Sequence, residues 1–156
     1  LRRFKSLKFF TAKSIGVSGA ALAQANCWRK LESLNLTEVY GLEPLLEVLR
    51  DSPDLKGLVV SKTRLKSRDI EIISTLSNLL GLDISQNKIS ASDLKMLSKL
   101  PRLEYLNIQQ CDIDKKALQE LKRFKHLRAV YVFSPGPDNK KESEALSRQL
   151  PTVAVH

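Results

Sequence analysis

The sequence has few of the residues on which catalysis and metal binding depend. Its 156 residues include two cysteines and two histidines, and neither histidine stands in a metal-ligand spacing. The six glycines form no phosphate-binding loop, because neither G-x-x-x-x-G-K-S/T nor G-x-G-x-x-G occurs. Cys111 with His126 is the sole conceivable nucleophile and base pair, and a packed cysteine with a surface histidine explains it better. These shortages favour a non-catalytic protein without a cofactor or a metal.

Long apolar runs are missing as well. No stretch approaches the ~18 apolar residues that a membrane-spanning helix needs, and the N-terminal segment leads into no signal-peptide core. Charged residues make up 28% of the chain and hydrophobic residues 42%, which excludes a disordered or collagen-like chain. The sequence therefore predicts a soluble, folded protein.

Leucine, in contrast, occupies 27 of the 156 positions, and the excess comes from a repeat. The segment that starts at Leu79 reads L-L-G-L-D-I-S-Q-N-K-I, and the segment that starts 24 positions later, at Leu103, reads L-E-Y-L-N-I-Q-Q-C-D-I. Both follow the pattern L-x-x-L-x-L-x-x-N/C-x-L. Starts at this spacing occur at Leu7, Leu31, Leu55, Leu79, Leu103 and Leu127.

The apolar positions within each unit predict its secondary structure. We call the number of residues after the starting leucine the offset. Offsets 0, 3, 5 and 10 belong to a strand and its turn, and offsets 15, 18 and 21 to one face of a helix. Across the first five units, 33 of these 35 positions are apolar. Each unit is therefore predicted to be a short strand followed by a short helix, with Ser90 and Asp93, Pro44 and Asp114 placed where helices begin.

The repeat resembles the leucine-rich repeat family, and the resemblance covers essentially the whole chain. It implies an α/β fold, a right-handed curved solenoid of about six repeats with a parallel sheet on the concave side and short helices on the convex side. In this family the residue at offset 8 bonds the backbones of neighbouring loops. Asn87 and Cys111 match that position, whereas Ile15, Val39 and Thr63 depart from it. Those three units are expected to have a less regular ladder.

The units fill one domain over residues 1–156. Residues 1–6 continue a unit whose earlier part is missing, and Leu150, Val153 and Val155 repeat offsets 0, 3 and 5, which predicts a terminal half-repeat over 150–156. Because neither end has the polar sequence expected of a capping unit, the chain is expected to be a fragment of a longer protein. The alternative is a complete small protein that has lost its first methionine.

The outward side chains of the strands form a candidate binding surface. Offsets 2, 4 and 6 are expected to point to the concave face, where Lys13 and Asp83 carry the only charges. Three aromatic residues gather near one end, and aromatic side chains are typical of protein interfaces. The predicted contact residues are Tyr105, Tyr131, Phe133, Asn107, Asp83, Asn35 and Gln109. Alternatively, Tyr131 and Phe133 pack under the loop that follows them as a C-terminal cover.

The net charge of +9 and the pI of about 9.7 raise a second possibility, since basic side chains bind phosphates. Basic residues are predicted to line one rim of the solenoid, with Asp69 and Asp112 as the nearby acids. No aromatic residue alternates with them, so they would bind nucleic acid or an anionic membrane through phosphates and not by base stacking. A solvated face that keeps the solenoid soluble is the simpler interpretation. This basic rim consists of Lys62, Arg64, Lys66, Arg68 and Lys88.

Cys27 and Cys111 are predicted to lie about four strand spacings apart, on the order of 19 Å, against a Cα limit of about 7 Å for a disulfide. Unpaired thiols favour a reducing, cytoplasmic location. The expected function is a non-catalytic scaffold that binds a protein partner through its concave face. The alternatives are docking of the basic rim on nucleic acid or an anionic membrane, and substrate recognition for a larger signalling enzyme such as a kinase or ubiquitin ligase. The sequence identifies neither the partner nor the oligomeric state.

Overall fold

A computed structural model describes residues 6–13, 16–113, 115–132 and 140–156. Within these residues, seven short strands form one parallel sheet and follow each other in chain order. Ile15, Asp114 and Phe133, for which the sequence predicts roles, lie outside the described residues. The strands are β1 (Phe9–Thr11), β2 (Ser33–Asn35), β3 (Gly57–Val59), β4 (Gly81–Asp83), β5 (Tyr105–Asn107), β6 (Ala129–Tyr131) and β7 (Ala154–Val155).

Short helices return the chain from one strand to the next. Neighbouring helices pack against each other in chain order, so they form a second layer beside the sheet. The predicted α/β solenoid of alternating strands and helices is confirmed. No helix of the described residues has the length and apolar character needed to cross a membrane. The helices are α1 (Gly19–Ala23), α2 (Glu43–Leu49), α3 (Ser67–Ile73), α4 (Ala91–Leu97), α5 (Lys115–Leu118), continued by a 3-10 helix (Gln119–Arg123), and α6 (Lys140–Gln149).

Helix starts follow the predicted capping chemistry where the residues are described. The backbone N–H of Ser90 donates to Oδ2 of Asp93 at 2.9 Å, and the backbone N–H of Asp93 donates to the Ser90 hydroxyl at 3.2 Å. Pro44 lies in the first turn of α2, where its missing N–H leaves no partner unsatisfied. These local signals explain why the apolar helical spacing begins where it does.

The strand register follows the repeat. From β1 to β6 every strand residue lies opposite its equivalent in the next unit, as Leu58 lies opposite Leu82. The last pair departs from this step, because Val130 lies opposite Val155, one position beyond the repeat spacing. Val155 therefore occupies offset 3, and the half-repeat predicted to start at Leu150 is displaced. Leu150 instead follows the end of α6, where its backbone N–H donates to the carbonyl of Leu146.

The core is a continuous stack of apolar side chains from the same offsets in successive units. Leu31, Leu34 and Leu36, at offsets 0, 3 and 5, are fully buried. Burial of each such side chain contributes about 1.5–3 kcal/mol, so the stack holds each unit to the next. Trp28 extends the core toward β1, where its ring meets the Phe10 ring edge-on with the centroids 5.5 Å apart.

Each strand leads into a turn of the same backbone geometry. At offset 7, Glu38, Lys62, Gln86 and Gln110 all have a positive φ, between 54° and 62°. A left-handed backbone costs a non-glycine residue about 1–2 kcal/mol. Because four different residues adopt it at the same offset, the solenoid geometry imposes this turn whatever the side chain.

The buried side chain of Asn87 joins two of these turns. Its Oδ1 accepts the backbone N–H groups of Thr63 and Leu65 in the preceding unit, each at 3.1 Å. Its Nδ2 donates to the carbonyls of Val60 at 2.8 Å and Ile84 at 2.9 Å. Asn87 therefore bridges neighbouring loop backbones, as the family resemblance implied.

The other residues at offset 8 bridge less completely. The Cys111 thiol donates to the Ile84 carbonyl of the preceding unit at 3.3 Å. Thr63 turns its hydroxyl to the Val60 carbonyl of its own unit at 2.8 Å. Val39 is buried but has no polar side-chain atom. The ladder is thus irregular at Val39 and Thr63, in agreement with the prediction.

Candidate functional site

The open face of the sheet carries a groove of about 480 Å³, which we call the concave groove. Gly57 and Gly81 line it at the same offset of β3 and β4, where neither supplies a side chain. A Cβ atom on Gly81 would meet nothing within 4 Å. These two glycines, which the sequence reasoning passed over, therefore leave the groove open. The sequence feature that could have indicated the groove is the presence of glycine at the same offset of two consecutive units.

Five of the seven predicted contact residues line this groove. Two are exposed tyrosines, Tyr105 with 47% and Tyr131 with 38% of its surface accessible. The Tyr131 ring stacks on His156, with the centroids 4.8 Å apart and the planes at 21°. Such a stack holds the ring while leaving its edge exposed. The five residues are Asp83, Tyr105, Asn107, Gln109 and Tyr131.

Of the other two predicted contact residues, one lies elsewhere and one is not described. Asn35 lies at the end of β2, outside the residues that line the groove. Phe133 is not among the described residues. The aromatic part of the described groove therefore consists of Tyr105 and Tyr131.

The polar residues at offset 4 also have a structural role that the sequence reasoning missed. Three of them, Asn35, Asp83 and Asn107, accept the backbone N–H of the residue two positions later through a side-chain oxygen, which forms a turn at the end of the strand. The oxygens of Asn35 and Asn107 accept at 3.0 Å, and that of Asp83 at 2.9 Å. In addition, Nδ2 of Asn107 donates to Oδ2 of Asp83 at 3.0 Å. Their side chains are thereby fixed beside the groove.

The predicted exposure at offset 6 is wrong for two residues. Ser61 and Ser85 are buried, and their hydroxyl groups are bonded to each other at 2.9 Å. The strands end at offset 4, so the alternation of exposed and buried side chains does not extend to offset 6. Ala129, at offset 2 of the sixth unit, is buried as well.

Carboxylates accompany much of the basic rim. Lys62 forms an ion pair with Glu38 at 2.8 Å, and this hydrogen bond raises the pKa of Lys62. Arg68 contacts Glu71 at 2.8 Å and Glu47 at 3.1 Å, and these partners raise the pKa of its guanidinium group. From the sequence we expected Asp69 and Asp112 beside the rim, and these glutamates were not predicted.

The two acids that the sequence placed beside the rim differ from these. Asp69 is buried, and its carboxylate accepts the backbone N–H of Lys66 at 2.8 Å where α3 begins. Asp112 is exposed, and no ion pair joins it to the rim among the described residues. Asp69 therefore caps the start of α3, and the ion pairs of Lys62 and Arg68 are made with glutamates instead.

An aromatic ring from the neighbouring unit reaches the basic rim, although no aromatic residue alternates with the rim residues along the chain. The guanidinium carbon of Arg64 lies 4.8 Å from the centroid of the Tyr40 ring. The two residues occupy offset 9 in neighbouring units, and this shared offset could have predicted their contact. Arg64 covers one face of the ring, and a base could not stack on that face.

The cysteines offer little nucleophilic reactivity. Burial raises the pKa of the Cys111 thiol and also that of Cys27, so both are held in the protonated form. The Cys111 thiol donates to the Ile84 carbonyl, and His126 lines a different cavity. In the described part of the chain, no group of three or more His, Cys, Asp or Glu side chains is placed to hold a metal.

Comparisons with known proteins agree with this architecture. Residues 53–113 match the family model described as leucine rich repeat. Of the solved structures, 118 chains match in fold. One is the TLR13 chain of the crystal structure of the TLR13–ssRNA13 complex, with a TM-score of 0.64 and 19% sequence identity over 83% of this chain. No curated protein matches in sequence.

The repeated register and these matches define a solenoid of parallel strands and short helices. The match to the leucine-rich repeat model over residues 53–113, together with this fold, supports the resemblance that the sequence predicts. The chain spans 20% of the length of the TLR13 chain, and at 19% identity the likeness concerns the fold alone.

Proposed function

We propose that this chain is a non-catalytic module that binds a protein partner through the concave groove. Leucine-rich repeat folds generally act as modules for protein or ligand interaction and are typically non-catalytic. The observation that carries the proposal is the presence of two exposed tyrosines, Tyr105 and Tyr131, beside a groove kept open by glycines. Tyrosines bury a large area and lose few rotamers on binding, so a few of them supply much of the affinity.

The size of the groove suggests how such a partner would bind. A volume of about 480 Å³ holds one or a few side chains, whereas a stable interface covers about 800 Å² on each partner. The groove therefore accepts an anchoring side chain, and the rest of the partner extends over the neighbouring strands. Because Asp83 and Asn107 are already bonded to each other, little order is lost when the partner arrives.

A double change tests this proposal. Tyr105→Ala with Tyr131→Ala is expected to weaken partner binding about tenfold or more, while the melting temperature stays within a few degrees of the unchanged protein. The measurement compares proteins captured by the two forms of the chain, followed by titration of the captured partner.

Tyr40→Ala is the matched control, because Tyr40 is 44% exposed but lies outside the concave groove. The control is expected to capture the same partner as the unchanged chain. Equal capture by the double variant would contradict the proposal. A large fall in its melting temperature would favour the alternative in which Tyr131 serves as a cover for the end of the solenoid.

Nucleic acid binding at the basic rim has weaker support. The structural neighbour TLR13 is in a complex with ssRNA in its crystal structure, but the likeness to it extends to the fold alone. On this chain Lys62 and Arg68 are bonded to carboxylates, which reduces the charge that phosphates would meet. Partner capture with and without nuclease, at low and moderate salt, distinguishes nucleic-acid binding from protein binding, because phosphate contacts weaken steeply as salt increases.

A further inference from the structure

A second groove, of about 560 Å³, lies where α4 and the 3-10 helix end. Its lining contains four lysine or arginine side chains and one histidine, and no carboxylate among the described residues. Leu100 and Pro101 add an apolar patch to the same lining. We call this cavity the basic groove. Its basic residues are Lys95, Lys99, Arg123, Lys125 and His126.

Ion pairs with carboxylates involve two of the five basic-rim residues and one of the four lysine and arginine residues of the basic groove, among the described residues. Lys62 and Arg68 on the rim are bonded to glutamates. In the groove Arg123 is bonded to Glu120, but within the described residues Lys95, Lys99 and Lys125 form no ion pair with a carboxylate. The positive charge of the groove is therefore available to a ligand.

Two of these lysines lie at the end of α4. Lys95 lies in the last turn of α4, and Lys99 follows two residues after the helix ends at Leu97. Both side chains are exposed and line the basic groove, which an anion can enter. An anionic group in the groove would be attracted by both ammonium groups.

We propose that the basic groove binds an acidic segment of a protein partner, a short run of aspartate and glutamate residues. Carboxylates match the free lysine ammonium groups, and the exposed ring of Pro101 can contact the methylene groups of glutamate side chains. Nucleic acid fits less well. A single strand uses aromatic rings to stack its bases, and no phenylalanine, tyrosine or tryptophan lines this groove. A duplex is convex and needs an extended basic surface.

This site goes beyond the function proposed for the concave groove. The two grooves share no lining residue, so both can be occupied at the same time. One chain would then hold two separate segments, either of one partner or of two.

Fluorescence anisotropy with a labelled peptide of alternating aspartate and glutamate tests the proposal on the intact chain. The peptide is expected to bind, and a peptide of the same length made of asparagine and glutamine is not. Lys95→Gln with Lys99→Gln is expected to weaken binding about tenfold. Lys95→Arg with Lys99→Arg keeps both charges and is expected to retain most of the affinity.

The control for net charge is Lys30→Gln with Lys56→Gln, since both lysines are exposed and lie outside the basic groove. This control is expected to change the affinity less than twofold. An equal loss in the two glutamine double variants would overturn the proposal, because charge in general would then attract the peptide. Tighter binding of a single-stranded oligonucleotide, abolished by the Lys95 and Lys99 glutamine variants, would also overturn it. Tyr105→Ala with Tyr131→Ala leaves peptide binding unchanged, which separates this site from the concave groove.

Discussion

At the scale of single residues, the side chain of Asn87 contributes most clearly to the fold. Both halves of its amide are used, with Oδ1 accepting two backbone N–H groups of the preceding unit and Nδ2 donating to carbonyls of both units. Its position was predicted from the repeat pattern. Its hydrogen-bond partners could not be predicted, because they depend on the left-handed turn at offset 7 that brings the two loops together.

Asn87→Ala is expected to lower the free energy of unfolding by about 2–4 kcal/mol, because it leaves the buried backbone N–H groups of Thr63 and Leu65 without partners. Urea denaturation followed by circular dichroism measures the loss. Asn107→Ala is the matched control, since Asn107 is only partly buried and water can replace its bonds; its loss should stay near ~1 kcal/mol. Equal losses in the two variants would contradict this account of Asn87.

At the scale of the elements, the regular spacing of the units was enough to place the strands and most helices. Offsets 0, 3 and 5 predicted the buried residues, because the same sheet and core recur in each unit. Strand length was not predictable from apolar spacing, since the strands end at offset 4 whether that position holds an apolar residue such as Val59 or a polar one such as Asp83. The displaced last strand was missed because the apolar spacing of Leu150, Val153 and Val155 matches offsets 0, 3 and 5, whereas Val155 lies opposite Val130 at offset 3.

The repeat also contains information about surface ion pairs, which the apolar spacing alone does not use. Residues at equal offsets lie side by side in adjacent units, so their side chains meet. Glu38 meets Lys62 in this way, and Lys8 meets Glu32 at 2.7 Å. A search for opposite charges at equal offsets in neighbouring units would have predicted these ion pairs. It would not have found the contacts of Arg68, because Glu47 and Glu71 lie at other offsets.

Close packing between α1 and the turn before α2 leads to a prediction at the same scale. A Cβ atom on Gly19 would overlap the carbonyl oxygen of Gly41 and lie 2.7 Å from the Cα of Leu42. Gly19→Ala is therefore expected to lower the melting temperature strongly, because backbone atoms must move apart. Gly81→Ala, where the added Cβ meets nothing within 4 Å, is the control and should leave it nearly unchanged. Similar melting temperatures for the two variants would contradict the close packing at Gly19.

At the scale of the whole molecule, stacking makes the solenoid a preformed surface. Each unit buries its apolar residues against the next, which fixes the strands before any partner arrives. The concave groove and the basic groove lie on separate lining residues of this one scaffold. Binding therefore costs little conformational order, and side chains at a few outward positions decide which partner is accepted.

Site-specific photo-crosslinking tests the role of the concave groove most directly. Tyr105 is replaced by the photoreactive residue p-benzoylphenylalanine, and the same residue is placed at Val48, which is 37% exposed on α2, as the control. The captured partner is expected to form a covalent adduct from position 105 and none from position 48. An adduct from position 48 with none from position 105, while the complex still forms, would contradict binding through the concave groove.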